Sequence, residues 1–276
     1  MARCEVCYRH CEIGEGKTGF CGARGNVDGR IVPLNYGKLT ALALDPIEKK
    51  PLARFFPGSK ILSCGSYGCN LSCPFCQNHD ISNPSPDLAT EKITPLELAD
   101  LAKDLEYCGN IGVAFTYNEP LIGYEFVRDT AEHVRGIGMQ NVVVTNGTAE
   151  LSVLEEILPY VDAMNIDLKC FSQKTYKEIL GGRLDQVKEF IAGAHKDCHI
   201  ELTTLIVPGM NDTDEEMEEL SSWVASLPQG QDIPLHISRF FPRYKMSDKD
   251  PTSVSRVYHL AEVARNNLTY VYEGNC

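Results

Sequence analysis

The chain has 276 residues, with 26 Lys+Arg against 38 Asp+Glu and a formal charge of −12. A hydrophobic content of 43% excludes disorder and fibrous repeats, and the acidic balance argues against nucleic acid as the main partner. No apolar run approaches the ~18 residues of a membrane span and the first residues carry no signal-peptide core, so a cytoplasmic protein without membrane attachment is expected.

Twelve cysteines are the anomaly. A reducing compartment disfavours a disulfide framework, so clustered thiols read as metal ligands. Cys4, Cys7, Cys11 and Cys21 crowd a glycine-rich, helix-poor start. Their C-x2-C-x3-C-x9-C spacing reads as a four-thiolate site, for zinc or an auxiliary iron–sulfur cluster. His10 is a possible substitute ligand, with a surface role the simpler reading. A short alternating run at 39–44 reads as a strand ended by Asp45-Pro46. Residues 1–58 are therefore expected to form a small metal-binding appendage, and 59–276 the core.

From residue 61 onward, short apolar runs at 61–64, 112–116, 141–145, 163–168, 200–207 and 234–238 alternate with amphipathic helices. Runs apolar on both faces suit the strands of a buried parallel sheet. Capping boxes are predicted at Thr94/Glu97, Ser152/Glu155 and Thr213/Glu216, and further helical stripes run through Leu184–Ala194 and from Val254 to Ala264. Cys108 extends the stripe of Leu101 and Leu105 and is expected in the core. Six strand–helix units are too few for a closed eight-unit barrel. The expected fold is α/β, a partial, open (β/α)6 TIM-like barrel, with a flat doubly wound sheet as the competitor. In both, ligands sit at the carboxyl ends of the strands.

Directly after the first run comes Gly68-Cys69-Asn70-Leu71-Ser72-Cys73-Pro74-Phe75-Cys76-Gln77-Asn78. Chance would supply roughly 0.02 such C-x3-C-x2-C triplets in a chain of this composition. Three thiols from one loop do not match the paired C-x2-C pattern of structural zinc, unless Cys64 is the fourth ligand. On a [4Fe–4S] cluster, three thiolates leave one iron open to a substrate. Cys69, Cys73 and Cys76 are the candidate ligands. The segment resembles the motif of the radical S-adenosylmethionine (SAM) superfamily, including the aromatic Phe75 before the last cysteine.

That resemblance implies roles at later strand ends. Thr116-Tyr117-Asn118-Glu119-Pro120 stands where the superfamily often has Gly-Gly-Glu-Pro, so Glu119 would meet the SAM ammonium. Asn146, in Thr145-Asn146-Gly147, resembles the residue that meets the ribose or carboxylate. Asp167 and Lys169 match the Asp-x-Lys of glycyl-radical activating enzymes, where the lysine meets the SAM carboxylate. As bare residues these are a loop acid, a turn and a surface ion pair. Longer stretches, Asp45 to Leu52, Phe56-Pro57-Gly58 and His236 to Met246, resemble the radical SAM component of the AmmeMemoRadiSam set, whose members are similar to pyruvate formate-lyase activating enzyme. Gln77, Asn118 and Arg239 fall in matching stretches and join the expected cofactor contacts. Two positions depart from the activating enzymes: Val144 replaces an Asp that helps hold a monovalent cation, and Arg243-Tyr244 stands where they carry a His.

The resemblance implies a [4Fe–4S] cluster that reduces SAM to methionine and a 5′-deoxyadenosyl radical. That radical would take a hydrogen atom from a glycine of a partner protein, or from a small molecule in a second reading. A flavodoxin- or ferredoxin-type protein would supply the low-potential electron. The rival from another class is a non-catalytic iron–sulfur electron carrier.

Overall fold

A computed structural model describes residues 1–85 and 87–276. Eight strands form one sheet in chain order: β1 (Ala41–Pro46), β2 (Lys60–Gly65), β3 (Asn110–Phe115), β4 (Gln140–Thr145), β5 (Ala163–Asp167), β6 (His199–Ile206), β7 (Leu235–Arg239) and β8 (Val271–Gly274). Strands β2 to β8 are parallel, and β1 runs antiparallel to β2. Among the described residues no ladder joins β1 to β8. The result is the expected partial barrel.

Among the described residues six helices of seven or more residues cover the outside: α1 (Pro95–Asp104), α2 (Tyr124–Gly136), α3 (Leu151–Ile157), α4 (Leu184–Ala194), α5 (Asp214–Ala225) and α6 (Val254–Arg265). The predicted box at α1 forms fully, with Glu97 N donating to Thr94 Oγ1 and Thr94 N to the Glu97 carboxylate. At α5 only half forms. Thr213 accepts from Glu216 N, but the Glu216 carboxylate accepts from Phe171 N at 2.6 Å instead, tying α5 to the loop after β5. The box at Ser152 does not form. Glu150 N donates to the Val6 carbonyl, and α3 starts at Leu151 with Glu150 as its N-cap, two residues before the start the box predicts. Helix α2 lacks a capping side chain and grows out of the 3-10 turn Pro120–Gly123, but its stripe of Phe126, Val127, Ala131 and Val134 has helical spacing and is buried. Cys108 is not core: α1 stops at Asp104, and the thiol is half-buried in the turn Glu106–Cys108.

Two strands differ from expectation. The 39–44 run does not stop before Asp45-Pro46; β1 runs to Pro46 and pairs into the main sheet. Pro46 is tolerated because it ends an edge strand, where no ladder bond needs its missing N–H. Strand β8, Val271-Tyr272-Glu273-Gly274, carries no apolar run in the sequence. The first forty residues add short antiparallel ribbons, Ala2–Arg3 with Glu12–Ile13 and Arg24–Val27 with Arg30–Pro33.

Inward-facing side chains of the barrel form layers. The lowest is apolar: Ile61, Ala114, Val142 and Ala163 pack on Ile47 and Leu52, all six fully buried. The 47–55 segment thus plugs the amino-terminal end of the barrel, leaving the carboxyl end open. Glu201 anchors the plug. Its buried carboxylate accepts from Ala53 N (2.9 Å), Arg54 N (2.8 Å) and the ring nitrogens of His199 and His236. Burial works against its charge, yet these bonds bring its pKa from 4.5 down to about 2. A depressed carboxylate stabilises the fold above its unfolded pKa and loses that contribution as pH falls toward the folded value. Glu201→Gln is expected to cost about 2–4 kcal/mol at neutral pH. In urea titrations it should also flatten the loss of stability between pH 4.5 and about 2.

Candidate active site

A cavity of about 450 Å³ opens at the carboxyl ends of the strands. Cys69, Cys73, Phe75, Cys76 and Gln77 line it from the loop after β2. Asn118 and Glu119 come from the loop after β3, Asn146 from the end of β4, and Asp167 and Lys169 from the end of β5. Ten of the expected residues meet there because four neighbouring parallel strands deliver their loops to one rim. Arg239 does not reach the wall. Its Nε donates to the Thr252 carbonyl at 2.6 Å, and its guanidinium lies over Phe241.

The cysteine loop is held from behind. Gly68 has φ +91, and a Cβ there would stand 2.5 Å from the Cys21 carbonyl oxygen, so only glycine permits that approach. Asn118 is used structurally: its amide donates to the carbonyls of Tyr67, Gly68 and Glu119, and its Oδ1 accepts from Ser66 N. Asn146 positions too. Its Nδ2 reaches Asn70 Oδ1 (2.9 Å) and Cys69 Sγ (3.7 Å), while its Oδ1 accepts from Thr148. Leu71 N also donates to Cys69 Sγ at 3.4 Å.

Burial pushes the Cys73 thiol up to about 11 and Cys69 higher still, with neighbouring thiols adding to the effect. A bound cation must therefore drive their deprotonation. The donor set fits an iron–sulfur cluster. Three soft thiols, Cys69, Cys73 and Cys76, line one cavity. Cys64 plays no part in it. It is buried in β2 among the core residues and is not one of the residues that line the cavity.

The carboxylates are differentiated. Glu119, 3% exposed, accepts from Thr145 Oγ1 (2.8 Å), Asn146 N (2.7 Å) and Leu121 N (3.0 Å). Burial nevertheless raises its pKa from 4.5 to about 7, and these bonds only partly offset it. Such a group favours a cationic partner in the cavity. Lys169 Nζ lies 2.7 Å from Asp167. Burial works against its charge, but Asp167 and Cys73 hold the ammonium protonated. Its backbone N–H donates to the hydroxyl of the fully buried Tyr176, which fixes the loop.

One lining residue, Lys50, carries no signal in the sequence. Lys50, 2% exposed, pairs with Asp45 at 3.0 Å and sits 4.6 Å from the Tyr117 ring centroid. Tyr117 donates to the same carboxylate at 2.7 Å. The Lys-Lys pair lies in a polar loop with no periodicity, and only the folding of the plug into the barrel carries Lys50 inside.

The comparisons agree with this geometry. Residues 64–224 match the family model of the Radical SAM superfamily. The chain is 42% identical, over 99% of its length and 81% of the relative's, to the uncharacterized protein MJ0808 of Methanocaldococcus jannaschii. It is 24% identical to the pyruvate formate-lyase 1-activating enzyme of Escherichia coli K12, over 61% of this chain and 70% of that one. Among solved structures, Streptococcus suis SuiB bound to S-adenosylmethionine superposes with a TM-score of 0.60 at 14% identity, covering 76% of this chain and 48% of SuiB. The chain belongs to the radical SAM superfamily. Its fold is the partial barrel of that superfamily, and its relatives include activating enzymes of glycyl-radical systems. Among the described residues no helix is long and apolar enough to cross a membrane.

Proposed function

We propose that the chain abstracts a hydrogen atom from a glycine of a partner protein, in the manner of the activating enzymes it is similar to. The observation that carries the reading is the meeting of three cluster-loop thiols with Glu119, Asn146, Asp167 and Lys169 in one cavity. When bound, the [4Fe–4S] cluster and SAM supply reductive cleavage to methionine and a 5′-deoxyadenosyl radical. Cys69, Cys73 and Cys76 would hold the cluster. Glu119 offers its carboxylate to the SAM ammonium, and Lys169 its ammonium to the SAM carboxylate. Asn146 fixes Cys69 and the loop that Glu119 accepts from, so both contacts are oriented together. Phe75 and Val144 give the cavity apolar wall that excludes water.

In this reading a flavodoxin- or ferredoxin-type protein delivers the electron, and the work is done in the cytoplasm. Cys4, Cys7, Cys11 and Cys21 form a second metal-binding unit. Anaerobic reconstitution with iron and sulfide, then dithionite and SAM, tests the core: 5′-deoxyadenosine is the expected product. A glycyl-radical doublet on a copurifying protein supports the protein substrate. Turnover of a metabolite without any protein partner overturns that assignment in favour of small-molecule chemistry. An electron-carrier role would stand only if the reconstituted chain fails to bind SAM.

A further inference from the structure

The three cluster-loop thiols line two cavities. The first is the one described above, walled by Glu119, Asn146, Asp167 and Lys169. The second, of about 330 Å³, shares Cys69, Cys73 and Cys76 with it but none of those four residues. Phe20, His79, Tyr244 and Lys245 line it in their place. The thiols are therefore reached from two directions. One carries the polar groups for SAM, and the other carries none of them.

The chain has a formal charge of −12, yet no Asp or Glu lines the second cavity. Among the described residues the carboxylate paired with a lining residue is Asp80, 3.1 Å from His79 Nε2. Two cations flank the opening, and each is fixed to the cluster loop. Lys245 N donates to the Pro74 carbonyl at 3.0 Å, between Cys73 and Cys76, and its ammonium stands 5.2 Å from the Tyr244 ring centroid. Arg9 Nε donates to the Asn70 carbonyl at 2.7 Å. Its guanidinium lies 3.5 Å from the ring centroid of Phe20, which is 53% exposed. A cation held against a ring is already ordered, so it loses little freedom when a partner arrives. Tyr244 has φ +53, a costly conformation for a residue with a Cβ, and stacks on His79 with 4.5 Å between ring centroids. Such strain persists only where neighbours enforce it. Here the stack and the bond to Pro74 do so, and they hold the segment on the cluster loop.

We propose that this second opening is the docking face of the electron donor, an acidic, low-potential protein that passes one electron at a time. The inference rests on reading the three thiols as a cluster site and says where the electron enters. Charge selects the partner: Arg9 and Lys245, fixed beside the thiols, attract an acidic surface and orient it. The exposed Phe20 adds apolar contact of the limited extent that redox encounters use. The donor is oxidised by one electron and the cluster reduced by one, with no covalent bond made or broken. Donor and SAM then use different cavities and do not exclude one another.

The test uses the whole chain, reconstituted anaerobically, with a photoreduced acidic flavodoxin as the probe. Stopped flow reads bleaching of the cluster, and calorimetry reads complex formation. For the unsubstituted chain both rate and affinity should fall as salt rises from about 50 to about 500 mM. In Phe20→Glu/Lys245→Glu the flavodoxin rate should fall about 10- to 100-fold at low salt. Bleaching by dithionite, SAM binding and dithionite-driven 5′-deoxyadenosine formation should stay unchanged. An unchanged flavodoxin rate in that variant overturns the inference. So does loss of glycyl-radical formation on a copurifying protein with dithionite as the reductant, which gives the face to the protein substrate. If the double variant does not assemble its cluster, Lys245→Gln and the salt series carry the test. A flavodoxin rate insensitive to both overturns the inference, and a severalfold drop in each supports it. Flavodoxin reduction with these dependences but no 5′-deoxyadenosine leaves this inference standing and removes the SAM-cleavage reading. Dithionite-driven 5′-deoxyadenosine alongside an unchanged flavodoxin rate does the reverse.

Discussion

Cys73→Ala is expected to lower 5′-deoxyadenosine formation by roughly three orders of magnitude or more, because an iron that loses its thiolate leaves no cluster to cleave SAM. Iron bound at the active-site loop falls with it. Stability should change by less than about 1 kcal/mol, since Cys73 is only half-buried and sits in a loop. Cys64→Ala is the control. It removes a buried packing atom between the sheet and its helices, so it should cost about 1–2 kcal/mol in urea denaturation yet leave SAM cleavage intact. Loss of activity in Cys64→Ala, with Cys73→Ala still active, would reverse the ligand assignment.

The second large effect is pH-dependent and centres on Glu119. Its folded pKa, about 7, lies above the ordinary 4.5 because it is buried. A carboxyl raised in the folded state binds more protons folded than unfolded between those values, so stability falls as pH rises through that window. For Glu119 the loss approaches about 3 kcal/mol by pH 8 in the SAM-free chain. SAM binding should run the opposite way. Its ammonium needs the ionised carboxylate, so affinity rises from pH 6 to pH 8 and the bound cation restores the lost stability. Thermal melts with and without SAM across that range check both slopes. Glu119→Gln should remove both and weaken SAM binding roughly 10- to 100-fold, the worth of one charge-assisted hydrogen bond. It should also face its amide toward the donors of Thr145 and Asn146. Parallel pH slopes in Glu119→Gln and the unsubstituted chain would show that another group titrates.

These effects have different origins in the molecule. The cluster loop acts through atoms contiguous in the chain, so its chemistry survives any account of how the barrel closes. Glu119 acts through burial. The same carboxylate on an exposed loop would titrate near 4.5 and present no pH switch for SAM.

The chain's own order determined the six core strands, the start of α1 and the three thiols of the cluster loop, because each depends on residues within a few positions of one another. Apolar runs of strand length, a Thr–Glu box three residues wide and a C-x3-C-x2-C loop all express local physics. Glu119, Asn146, Asp167 and Lys169 were legible as strand-end residues once the parallel alternation was recognised, since parallel strands send their carboxyl ends to one rim. Tertiary structure alone decided the rest. It drew β1 out of the glycine-rich start into the main sheet, and it turned the Asp45–Leu52 stretch into a plug that carries Lys50 to the cavity wall. It kept Arg239 away from that wall by offering the Thr252 carbonyl nearer at hand. It assigned Asn118 and Asn146 to holding backbone and cysteine, because a side-chain amide among unpaired buried carbonyls satisfies those first. It also brought the four amino-terminal thiols around one hollow. Separation between sulfurs belongs to the folded loops, and no count of residues between cysteines contains it.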